Sequence, residues 1–122
     1  MSGSKEQQAA KAAKLVKRQR WGKIGKMLEK GDPETRIALA SELGNTTDDN
    51  AFNYLISLLK DTDEKVQLQA VKSLGVHGED RAKTFLQNMM SSLPKEKKEL
   101  ADAIRESIAQ INQAVQENKD VV

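Results

Sequence analysis

Apolar residues recur along this chain at intervals of three and four, and the blocks they form are broken by Asp, Gly and Pro. Phe52, Leu55, Ile56, Leu58 and Leu59 make one such block, Ala82, Phe85, Leu86, Met89 and Met90 a second, and Leu100, Ile104, Ile108, Ile111 and Val115 a third. That period is the signature of amphipathic helices, and no stretch alternates with the period of two that a half-buried strand needs. The punctuation supplies the ends. Asp32 can accept from free backbone N–H groups, Pro33 fits a first helical turn, and Gly44 stands where a left-handed C-cap is wanted, which together predict a helix over 33–43. Thr47, Asp48 and Asp49 open the next, whose acidic first turn suits the helix dipole. The pattern as a whole predicts helices over 33–43, 48–59, 64–74, 79–91 and 95–116. Lys5 to about Arg20 adds one built from Ala and Lys, good helix formers with little apolar content. Gly22 and Gly25, around Trp21 and Ile24, leave 21–30 as either a kinked continuation of that helix or a separate short one. Met1–Ser4 reads as a short polar start outside the fold.

Two of these blocks share one template. Asp32 to Gly44 is repeated 31 residues later from Asp63 to Gly75, each copy preceded by an apolar pair, Met27-Leu28 and Leu58-Leu59. Self-similarity at such a period marks a stacked-repeat fold, in which no unit buries its apolar face alone. The string Asp32-Pro33-Glu34-Thr35-Arg36 leading to Leu43-Gly44, with its second copy ending Ser73-Leu74-Gly75, resembles the HEAT-repeat family. The likeness is to the compact bacterial type related to phycobilisome-lyase repeats. It covers about Ile24 to Ile111, the third copy at Thr84 to Ile111 having lost its aspartate and glycine. The resemblance implies an all-α fold: a short α-solenoid of about three helical pairs, with inner helices lining a concave surface and a basic helix at the N-terminus. The expected division is 1–20 as the basic helix or tail, 21–117 as the repeat domain and 118–122 as a C-terminal tail. The family also places an Arg shortly after the turn Asp, where it contacts turn acids of neighbouring repeats. Arg36 matches that position and Gln67 departs from it, so one rung of the ladder is expected, with Asp63 its first partner and Asp32 or Asp61 next.

Composition narrows the chemistry. The 122 residues contain no cysteine and one histidine, which removes disulfides, thiolate zinc sites, cysteine nucleophiles and any pair of His ligands. His77 reads as a turn residue leading into the Glu79 helix, and the acids Asp48-Asp49 and Asp61 with Asp63 read as helix caps. Asn45-Thr46-Thr47 formally matches a glycosylation acceptor but reads as a plain loop. No apolar run reaches the roughly 18 residues that span a bilayer, and the N-terminus lacks the apolar core of a signal peptide. The expectation is a cytoplasmic, non-enzymatic chain with no cofactor, no metal and no membrane partner.

Repeats of this type occur in scaffolds, transport factors, chromophore lyases and a class of DNA glycosylases. The chain holds too few repeats to enclose a tetrapyrrole, and one Trp and one Tyr supply no aromatic, acidic pocket. The resemblance therefore implies a protein-interaction module or scaffold that takes a protein or peptide partner. Ile37 and Leu68 are equivalent by the 31-residue shift and apolar where such repeats usually carry a polar residue. They lie about 200° around the helix from Thr35 and Val66, which widens the apolar arc. They read either as packing between neighbouring helices or as the centre of a concave partner-binding ridge, with Glu34, Ser41, Lys65 and Lys72 at its rim. Met89-Met90 with Phe85 and Leu86 reads chiefly as core.

Charge adds an alternative. Residues 1–30 hold nine Lys and Arg against Glu6 and Glu29, a net +7, while the rest of the chain carries −5. A basic head on an acidic body is felt at a distance. Lys11, Lys14, Lys17, Arg18, Arg20 and Trp21 are the residues that would contact nucleic acid if the head is an accessory binding surface, with an acidic protein partner as another reading and a solvated helical cap as the plainer one.

Overall fold

The computed structural model describes residues 4–121, and every regular element in that span is an α-helix. In chain order these are α1 (Lys5–Lys17), α2 (Trp21–Lys30), α3 (Pro33–Leu43), α4 (Asp49–Leu58), α5 (Glu64–His77), α6 (Ala82–Ser92) and α7 (Lys98–Val121). The helices α1, α3, α5 and α7 lie side by side as one layer. Over it, α2 packs on α1 and α3, α4 on α3 and α5, and α6 on α7. The repeating unit is thus a covering helix followed by an inner one, α2/α3, α4/α5 and α6/α7, with α1 closing the N-terminal end of the inner layer. Leu43, Leu55, Leu74, Leu86 and Ile104 are fully buried between the layers, and each such side chain contributes about 1.5–3 kcal/mol of transfer free energy.

Local chemistry explains most of the boundaries. Ser4 accepts from the Gln7 N–H while its own N–H donates to the Gln7 side chain, a capping box that draws Ser4 into the fold rather than leaving it in a polar start. Gln19 ends α1 in the left-handed region at φ 54°, and the Arg20 N–H bonds to the Leu15 carbonyl. The chain therefore breaks there, and α2 is a separate helix. Asp32 caps α3 through the Thr35 N–H at 2.8 Å, with Pro33 in the first turn. Asp48 and Asp63 cap α4 and α5 in the same way. The expected tail 118–122 is mostly helical, since α7 runs on to Val121; Val122 and residues 1–3 lie outside the described residues.

Two glycines expected to end helices do something else. Gly44 follows α3 at φ −70°, an ordinary helical conformation, so no left-handed cap forms there. A methyl group on it would lie 2.9 Å from Ser73 Cβ and 3.0 Å from the Ser73 carbonyl oxygen. Gly75 lies inside α5, which continues to His77 and ends on Gly78 at φ 77°. A methyl on Gly75 would come within 3.0 Å of Ser107 Cα on α7. Both glycines mark close approach of consecutive inner helices, and the template is conserved between copies because both seams are equally tight. The small partners are the buried polar residues Ser73 and Ser107. Ser107 donates to the Val71 carbonyl at 2.8 Å and Ser73 accepts from Gln69 at 3.1 Å, so neither hydroxyl is left unsatisfied.

The seams make a testable contrast. Gly75→Ala gains helix propensity but must displace α7 backbone, and a net loss of about 1–2 kcal/mol is expected. Gly22→Ala, in the first turn of α2 with nothing within 4 Å of the new methyl, should instead gain about 0.4–1 kcal/mol. Denaturant midpoints of the two variants would move in opposite directions.

The later helices start after the positions expected. Residues 79–81 form a turn, with the Ala82 N–H bonded to the Glu79 carbonyl, so α6 begins at Ala82. Pro94 introduces a second turn closed by Lys97, and α7 begins at Lys98.

Candidate interaction surfaces

Arg36 fixes how one repeat sits on the next. Its Nε and Nη2 donate to both carboxylate oxygens of Asp61 at 2.8 and 3.0 Å, and its Nη1 donates to the Gly31 carbonyl at 2.6 Å. The partner is Asp61, not Asp63. The Asp63 carboxylate is already occupied by the Lys65 and Val66 N–H groups at 2.8 and 3.2 Å. Burial alone would raise the Asp61 pKa, but hydrogen bonds from Arg36 and the Asp63 N–H, with the Arg36 charge, outweigh it and hold the carboxyl below its ordinary value. Gln67, which stands where a second Arg would be, donates to the Asp61 carbonyl at 2.8 Å. It braces its own turn but bridges to no neighbouring repeat.

This pin, together with the Gly44–Ser73 contact, orients the inner layer. The N-terminal end of α3 meets the turn before α5, and its C-terminal end meets the C-terminal half of α5, so the two helices run parallel. Glu34 and Ser41 on α3, and Lys65 and Lys72 on α5, are all exposed. Each pair is seven residues apart, which stacks it on one helix stripe about 10.5 Å long. Ile37 and Leu68 are part-buried and packed against the core. Ile37 is two turns before Gly44 and so faces α5; Leu68 is two turns before Gly75 and so faces α7. Both fill seams between inner helices, with only an edge reaching the surface.

The covering helices leave an open groove. Between α4 and α6 lies a cleft of about 930 Å³ with Ile56, Leu59, Phe85, Met89, Leu93 and Leu100 on its walls and floor, and Lys97, paired with Glu64 at 2.7 Å, on its rim. Phe85 is exposed and Met89 and Met90 are part-buried, so that of these four neighbours only Leu86 belongs wholly to the core. Next to this groove Phe52 stacks edge-on with Phe85 at 6.5 Å and carries the Arg81 guanidinium 4.4 Å above its ring. His77 is not a turn residue: it ends α5, its ring 5.8 Å from Phe52 and both ring nitrogens buried without a hydrogen-bond partner.

At the opposite end, Lys11, Lys14, Lys17, Arg18 and Arg20 are exposed, but Trp21 is part-buried against the core and its carbonyl accepts from the Tyr54 hydroxyl at 2.8 Å. The structure thus leaves the basic side chains exposed and packs the aromatic ring partly against the core. Lys23, Lys26 and Lys30 form an exposed stripe on α2 that residue-by-residue reading had passed over; their spacing of three and four residues is its sequence signal.

Parallel inner helices, one covering helix per unit and an Arg–Asp pin at the turn define a helical-repeat protein. The family model for HEAT repeats matches residues 23–105, more than half of the chain, and the chain belongs to that family. No curated protein and no solved structure matches it. HEAT repeats are generally protein-interaction scaffolds. Among the described residues no helix is long and apolar enough to cross a membrane.

Proposed function

We propose that this chain is a non-enzymatic protein-interaction module that binds a protein or peptide across the exposed side of α3 and α5. The observation that carries the reading is the four-residue frame of Glu34, Ser41, Lys65 and Lys72. Parallel helices pack about 8–10 Å apart, so two stripes of about 10.5 Å enclose a roughly square patch. Its corners are polar, the outer edge of Ile37 lies inside it in the α3–α5 seam, and that of Leu68 borders it in the seam toward α7. A polar rim around a small apolar centre is the layout of a docking patch. Lys65 and Lys72 favour an acidic segment of the partner over α5, and Glu34 a basic group over α3.

Because Ile37 and Leu68 also hold the seams, the discriminating variant changes the rim alone. Lys65→Glu with Lys72→Glu should leave the circular dichroism melt where it is, since both side chains are exposed and surface changes cost within about 0.5 kcal/mol. A specific partner that co-purifies with the unaltered chain from native cells should be lost. If the variant retains every partner, this face is not the binding site.

A further inference from the structure

Among the described contacts no cation of the N-terminal end is in an ion pair, whereas beyond residue 30 some are paired and others, such as Lys60, Lys65 and Lys72, are not. Beyond residue 30, Arg36, Arg81, Lys83, Lys97 and Arg105 each hold a carboxylate. On α1, α2 and the turn between them, every Lys and Arg is exposed and, among the described contacts, none is in an ion pair. Only Glu6 and Glu29 share this region, so its net charge of +7 is unneutralised. Lys23, Lys26 and Lys30 form a stripe about 10.5 Å long on α2 and line a shallow depression with Gly31, Thr35 and the half-buried Met27. Lys14, Lys17 and Arg18 crowd the last turn of α1 around a second depression. Helices α1 and α2 pack together, so the two clusters belong to one end of the molecule.

The surface also lacks what other polyanion partners would need. A protein interface is anchored by apolar side chains at its centre, as the half-buried Ile37 supplies at the α3–α5 patch. The large hydrophobic residues that stand exposed are Val76 and Phe85, at the end of α5 and on α6. A membrane helix needs a free apolar face, but Ala12, Leu15 and Val16 of α1 are buried in the fold. Single strands are held by bases stacked on free aromatic rings, but Trp21 is half-buried and packed against the core. A dense array of phosphates needs none of these, since its binding is driven by counterion release alone. A duplex carries one charge per roughly 1.7 Å, so the α2 stripe spans about six of them.

We propose that the α1–α2 end of this protein binds the phosphate backbone of a nucleic-acid duplex without reading its sequence, with Lys14, Lys17, Arg18, Lys23, Lys26 and Lys30 as the contacts. This surface is distinct from the α3–α5 patch, so the module could hold a protein partner and a duplex together.

The experiment is fluorescence anisotropy with labelled 20-base-pair duplexes of two unrelated sequences, titrated with the full chain between about 50 and 200 mM salt. Six contacts predict equal affinity for both sequences and a roughly thousandfold loss across that salt range. Lys23→Gln/Lys26→Gln/Lys30→Gln, with an unchanged melt, should bind more weakly at low salt and lose only about fortyfold across the same range. Absence of duplex binding at low salt would overturn the proposal, as would an unaltered salt slope in the triple variant. Tighter binding to a single-stranded oligonucleotide, to phosphatidylserine vesicles or to polyglutamate would overturn it too, by assigning the surface to another partner.

Discussion

Leu74→Ala is expected to lower the unfolding free energy by about 2–5 kcal/mol, the largest effect of any single core truncation in the central repeat. Leu74 is fully buried on α5, the helix that packs on α3, α4 and α7 at once. A cavity there has three neighbours to loosen and no free surface to collapse from, which places the cost high in the range. Leu43, its equivalent on α3 and equally buried, should cost a comparable amount. A repeat array of this length has no spare units, so both variants should unfold in a single transition at a lower denaturant midpoint with the same slope. A midpoint unmoved by either change would show that the repeat core is not where stability resides.

The equivalence of Leu43 and Leu74 is visible in the sequence because burial, capping and period all agree on the Asp32 and Asp63 copies. The glycines of the same copies were legible as positions but not as roles. Glycine serves both a left-handed cap and a close approach, and only the register between α3, α5 and α7 shows that Gly44 and Gly75 serve the second. That register is a tertiary fact, which is also why Ser73 and Ser107 do not stand out among the chain's other serines. The same holds for Ile37 and Leu68. The helix period gives their angle around the axis, but which side has a neighbour depends on how the inner layer stacks. The exposed stripes of the candidate patch need only the angle, so Glu34, Ser41, Lys65 and Lys72 could be placed from spacing alone. Trp21 stands beside a run of cations in the sequence, but its side chain packs partly against the core and its carbonyl accepts from Tyr54, 33 residues away, contacts that no local pattern could supply.

Arg36→Ala is expected to cost about 3–5 kcal/mol, the range for breaking a buried ion pair while leaving the other charge behind. The Arg36 and Asp61 side chains are 14% and 10% exposed, so solvent can do little to replace the lost partner. Asp61 would keep the Asp63 N–H but lose both bonds of the fork and the charge that opposes its burial. Arg36→Lys keeps the charge but not the planar fork or the bond to Gly31, and should fall between the two. The acid limb of the stability curve separates this account from simple loss of packing. In the unaltered chain the Asp61 pKa is lowered on folding relative to about 3.9 unfolded. Its contribution is therefore complete above that unfolded value and is lost as pH falls through the lower folded one. In Arg36→Ala, burial is opposed only by the Asp63 N–H, so the Asp61 pKa stands higher than in the parent and protonation costs the variant less than it costs the parent. The stability gap between them should be widest near neutral pH and should narrow steadily below about pH 4. Asp32 is held low chiefly by hydrogen bonds from Thr35, which both chains keep, and only lastly by the Arg36 charge, so it adds a smaller change of the same sign to the difference. A gap that stays constant down to the acid transition would mean that Arg36 supports the repeat through its contacts along the stem and not through its pairing with Asp61.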